Sequence, residues 1–116
     1  CFGGDAQLIC YVGHDGLMEF DVNGSFESIN GKNRDTIILA CSSKYYFAPY
    51  LKKTLANPLV WTSNLMAPEA YTLKVAIDGW IKKETELQIR ERAAQAYHNY
   101  QQCGINSARE LIVTGF

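Results

Sequence analysis

The sequence predicts an α/β fold: a mostly parallel sheet of three or four strands flanked by helices. Three observations carry the prediction. Short apolar runs of β-forming residues recur at 8–12, 36–41 and 59–62. The second and third runs each lead into a helical pattern. None of the runs has a polar face, which marks strands covered on both sides. Strand, helix, strand, helix is the alternation by which a parallel sheet covers both faces. A chain of 116 residues fits one domain around one core, so the domain is read as 1–116.

Taken in order, residues 1–7 read as loop and 8–12 as the first strand. Gly13, Asp15 and Gly16 allow a tight turn around His14. Residues 18–22 alternate apolar and polar, a weak strand or hairpin arm. Asn23-Gly24 signals a turn. Residues 25–35 read as loop with one helical turn at most, a place where a substrate or partner can be gripped. The second strand, 36–41, ends in Cys41-Ser42-Ser43. Pro49 suits the first position of a helix running to about residue 56, with Leu51 and Leu55 toward the sheet. Asn57-Pro58 then ends that helix. The third strand is 59–62. A helix over 69–81 has the stripe Ala70, Leu73, Ile77 and Trp80, with Glu69 suiting its positive end. Thr85 with Gln88 forms a capping box for the next helix. Its buried face is Ile89, Ala93, Ala96, Tyr97 and Tyr100, and Gly104 is its C-cap. The final stretch supports either a short helix from Ser107 capped by Asn106, or an edge strand over 111–114. A sheet this small leaves an edge for a partner, a dimer mate or a missing N-terminal segment to cover.

Composition excludes several classes. Hydrophobic residues make up 47% and charged residues 20%, a globular rather than a disordered balance. Net charge is -1 and no basic patch stands out, so nucleic-acid binding is not expected. No apolar run approaches the roughly 20 residues of a membrane span, and no signal-peptide pattern is present. The first residue is Cys1, so the sequence reads as a fragment or processed product. The four cysteines, Cys1, Cys10, Cys41 and Cys103, show no CxxC spacing. The two histidines, His14 and His98, lie far apart. No metal site or cofactor is expected, and the cysteines read as reduced thiols of a cytoplasmic setting.

The chemistry lies at strand ends. In parallel sheets reacting groups gather beyond the carboxyl ends of the strands. His14 follows the first strand and Cys41 closes the second. If these strands are parallel neighbours, the two share one rim. A free thiol ionises near about pH 8.5, and an adjacent imidazole can take its proton and return it to a leaving amine. The N–H groups of Asp15 or Gly16, and of Cys41, can then bind a developing oxyanion. Asp15 is also a candidate to orient His14. The structural alternatives are plain ones: Cys41 as a small packing residue, His14 as a surface turn residue, Cys10 in the core, and Trp61 in the core. Ser42 and Ser43 lack an elbow motif.

Tyr11-Val12-Gly13-His14-Asp15-Gly16 followed by Ile37-Ile38-Leu39-Ala40-Cys41-Ser42-Ser43 resembles the caspase, legumain and gingipain superfamily of cysteine peptidases. Trp61-Thr62-Ser63, with Glu69 opening a helix, resembles the substrate loop of that group. The resemblance implies a partial caspase-like three-layer sandwich, the C-terminal part of a larger domain. It implies His14 as general base and acid, and Cys41 as nucleophile. The Asp15 and Cys41 amides would line the oxyanion hole, and Trp61, Thr62, Ser63 and Glu69 would touch a peptide or protein substrate. No cofactor is implied. Asp15 stands where the family has glycine directly after histidine. A different class also fits: a non-catalytic caspase-like interaction domain, with a partner face near Phe26, Tyr46 and the sheet edge.

Overall fold

The structure is a computed structural model and describes residues 4–116. The loop expected over 1–7 is irregular backbone at 4–7, and Cys1 lies outside the described residues. The fold is α/β. A four-stranded sheet has the order β1 (Leu8–Val12), β2 (Arg34–Leu39), β3 (Ala56–Thr62) and β4 (Ile112–Val113). β1, β2 and β3 are parallel, and β4 closes the far edge antiparallel to β3. The helices are α1 (Ser43–Lys53), α2 (Ala70–Ile81), α3 (Glu86–Gln101) and α4 (Ile105–Leu111). Among the described residues, no helix is long and apolar enough to cross a membrane.

The unbroken apolar runs are explained by two cores. Alternate residues of a strand point to opposite faces. Ile37, Leu39 and Leu59 pack with Ala76 of α2 and Ile89, Ala93 and Tyr97 of α3. Ile38, Ala40, Ala56 and Trp61 pack with Leu51 of α1 on the other face. A strand serving both layers has no polar side to show.

Two prolines depart from expectation. α1 begins at Ser43, so Pro49 lies inside the helix rather than opening it. It sits on the exposed side of α1, where the missing N–H leaves one carbonyl to solvent. The helix starts earlier because Ser43 is anchored: its hydroxyl donates to Ile38 O at 2.9 Å. Asn57-Pro58 does not end a helix but lies within β3. The ladder with β2 slips there, from Thr36 opposite Pro58 to Ile37 opposite Val60. A bulge is where a strand tolerates a residue without an N–H. Leu55 is exposed in the left-handed turn between α1 and β3, with φ 56°, rather than facing the sheet.

Other boundaries shift for local reasons. β2 runs from Arg34 to Leu39, because Ala40 and Cys41 already turn toward α1. The 18–22 alternation forms no strand: Gly16–Met18 is a 3-10 turn and the following residues are loop. Phe20 and Val22 line a cavity rather than pairing with a strand. No helical turn forms over 25–35. Cys10 is exposed on the edge strand rather than buried in the core. The capping box forms as expected, with Gln88 N donating to Thr85 Oγ1 and Thr85 N to Gln88 Oε1. α3 ends at Gln102 in the left-handed region, and Gly104 instead precedes α4 as its N-cap. Tyr100 is exposed and stacks on Tyr71. The ambiguous tail forms both a helix and a strand, but α4 begins at Ile105, so Asn106 lies within it rather than capping it, and β4 is only Ile112–Val113.

Candidate active site

The rim is set by strand register. Val12 is opposite Leu39, and Gly13 N donates to Leu39 O at 3.1 Å. Two residues beyond that pair come His14 on one strand and Cys41 on the other. The parallel arrangement therefore places them at equivalent positions past the carboxyl ends of adjacent strands. Neighbouring strands lie about 4.8 Å apart.

Cys41 is half-buried in a firmly held turn. Ser42 adopts the left-handed conformation, with φ 51°, which costs a serine on the order of 1 kcal/mol. The flanking contacts offset that cost. Ser42 N donates to Asn64 O, and Thr62 N donates to Ser43 Oγ, both at 2.9 Å. Thr62 Oγ1 donates to Ala40 O. The sulfur lies against Met66, whose N–H points at Sγ from 3.5 Å and whose carbonyl lies at 3.6 Å. Met66 belongs to the loop after β3, and Tyr97 of α3 steadies that loop by accepting from Ala67 N at 3.1 Å. The thiol is thus located by β2, β3 and α3 together.

His14 is exposed, and its Nε2 lies 3.0 Å from Glu19 Oε1. Its backbone is fixed more firmly than its ring, because Tyr11 Oη donates to His14 O at 2.5 Å. Among the described residues no hydrogen bond joins His14 to Cys41, and none joins His14 to Asp15. Asp15 caps the 3-10 turn instead, Oδ1 accepting from Leu17 N at 3.0 Å. The carboxyl is fully buried, and among the described residues Oδ2 has no hydrogen-bond partner. Burial raises its pKa, against smaller lowering effects of the Leu17 N–H and of His14. The amides of Asp15 and Cys41 enter no backbone hydrogen bond among the described residues.

The substrate residues implied by resemblance divide into two pairs. Trp61 and Thr62 are fully buried, so neither side chain is presented to a substrate. Trp61 fills the α1-side core and donates from Nε1 to Gly115 O, and Thr62 serves the Cys41 turn. Ser63 and Glu69 are exposed on the loop and at the α2 N-cap. Glu19 is the residue that sequence reasoning missed, and its only signal is an acid just after the Gly13–Gly16 turn. Among the described residues no group of acidic, histidine or cysteine side chains is arranged to hold a metal. Compared with family models, curated proteins and solved structures, the chain finds no match.

Proposed function

We propose that Cys41 and His14 are the nucleophile and base of a cysteine-dependent peptide hydrolase of the caspase, legumain and gingipain type. The supporting observation is their equivalent positions beyond the ends of adjacent parallel strands. With Nε2–H donated to Glu19, Nδ1 is the ring nitrogen left to take the thiol proton. The thiolate then attacks the scissile carbonyl carbon. The Cys41 N–H receives the oxyanion, whereas Asp15, with no exposed surface, offers its N–H no route to a substrate. The imidazolium returns its proton to the leaving amine, and water hydrolyses the resulting thioester. Of the substrate residues implied by the resemblance, Ser63 and Glu69 are the exposed ones, and the Ser63 hydroxyl donates to Glu110 O at 2.8 Å.

A second reading, a non-catalytic interaction domain of the same type, is favoured by a different observation. An apolar cavity of about 650 Å³ lies beside β1 and α1, with Tyr11 and Phe26 in its wall. One experiment separates the two. Iodoacetamide labelling of the folded protein is followed against pH in wild type and His14→Ala, with the half-buried Cys41 read by peptide mass mapping because Cys10 and Cys103 are exposed. The hydrolase reading expects labelling of Cys41 below pH 7 to fall by a factor on the order of 10² in His14→Ala. If Cys41 labels like a free thiol and the substitution changes nothing, the interaction-domain reading replaces it.

A further inference from the structure

Among the described residues, β1 is an edge strand, with β2 on one side and no strand on the other. Asp35 N donates to Gln7 O and Gly13 N to Leu39 O, which fixes the phase of its parallel ladder. Odd-numbered residues of β1 therefore bond β2, and the N–H and C=O groups of Leu8, Cys10 and Val12 point outward. The strand reads Leu-Ile-Cys-Tyr-Val, with no charge or proline to block pairing. Its odd-numbered side chains, Ile9 and Tyr11, enter the cavity of about 650 Å³, which Phe20, Phe26, Phe47 and Tyr50 also line. Phe20 is 59% exposed there. A row of outward backbone groups thus runs beside an apolar recess, the two parts that strand addition uses.

The charge of this region identifies the occupant. From Gly4 to Gly31 the chain carries Asp5, Asp15, Glu19, Asp21 and Glu27 and no lysine or arginine. Only Asp15 of these is buried. Glu27 lines the cavity, and Glu19 and Asp21 bracket Phe20. A second copy of this chain would bring the same acidic rim against itself, an arrangement that like-charge repulsion opposes. A basic segment gains where a second copy loses. We propose that the β1 edge docks an extended, lysine- or arginine-rich segment of another protein, its alternate apolar side chains seated in the cavity. The site is separate from the Cys41 thiol and does not depend on its chemistry.

The test uses the full chain and a short synthetic peptide alternating lysine with valine and phenylalanine. A matched peptide carries glutamate for lysine. Amide hydrogen exchange by NMR reads the edge directly. Binding of the lysine peptide should slow exchange at Leu8, Cys10 and Val12 and weaken as salt is raised. Cys10→Pro removes an outward N–H and leaves the β2 ladder intact, so it should lower affinity about tenfold. The double change Asp21→Lys with Glu27→Lys alters only exposed side chains, and should weaken the lysine peptide and favour the glutamate one. Equal binding of the two peptides, or no protection at those three amides, overturns the proposal. So does sedimentation showing a dimer of the unliganded chain with those amides protected, which would assign the edge to a second copy, and so does protection of the same amides without peptide in an N-terminally longer chain, which would assign it to a preceding segment.

Discussion

Asp15 takes a carboxyl group into a fully buried position, and among the described residues only one of its oxygens has a hydrogen bond. Burial raises its pKa, so the native state binds the proton more tightly than the unfolded chain does. The stability from this group is therefore complete in acid, below the ordinary aspartate range. It is lost as pH rises through the raised value. Asp15→Asn keeps the oxygen that caps Leu17 and removes the buried charge. Urea denaturation should give the variant a higher midpoint than wild type near about pH 8, and no such advantage near about pH 3. The residues around Asp15 also show what the sequence could convey. The positions of His14 and Cys41 were legible because each apolar run ends abruptly, and parallel register then places the ends side by side. Glu19 was not legible, because its approach to His14 depends on the 3-10 turn at Gly16–Met18 and the loop after it, where alternation over 18–22 suggested a strand. The burial of Trp61 and Thr62 was legible too, in a run with no polar face; only the family resemblance had placed them against a substrate.

At the scale of elements, α2 and α3 pack closely because small residues lie between them. The sequence stripe Ala70, Leu73, Ile77 and Trp80 found the correct side of α2. The buried centre, however, is Thr72, Ala76 and Gly79, and Ala70 is exposed. The bulky residues flank the line of closest approach, and the small ones lie on it. A Cβ at Gly79 would lie 3.1 Å from Ile89 Cγ1, 3.0 Å from Arg92 Cδ and 2.9 Å from Glu84 Oε2. Arg92 holds Glu84 through two short hydrogen bonds, of 2.5 and 2.6 Å, so those neighbours are tethered as well as close. Gly79→Val should therefore destabilise by about 2 kcal/mol despite a gain in helix propensity, as measured by urea denaturation. The capping box, β1 and α2 were readable because their signals are local. The proline positions were not. Pro49 and Pro58 obey local rules that anchoring elsewhere overrides, through Ser43 in one case and the β2–β3 bulge in the other.

For the molecule as a whole, one sheet is shared by two apolar layers of unequal depth. α2, α3 and α4 cover one face, while α1 and the C-terminal tail cover the other. The tail is tied down at several points: Gly115 N donates to Pro58 O at 2.9 Å, Lys44 and Trp61 donate to Gly115 O, and the Phe116 ring meets Trp61 edge-on. Because β2 and β3 contribute side chains to both layers, neither layer can lose its packing without disturbing the other. Unfolding should be a single cooperative transition. The two tryptophans turn that arrangement into an optical experiment. Trp61 is sealed in the α1-side layer, while Trp80 borders the opposite one and donates to Asp35 Oδ2 at 2.8 Å. Each face of the sheet thus carries its own intrinsic fluorophore. Trp61→Phe leaves emission from one layer and Trp80→Phe leaves emission from the other. Within each variant, the emission curve should superimpose on the far-UV circular dichroism curve, and a layer that loosened first would announce itself by its own colour.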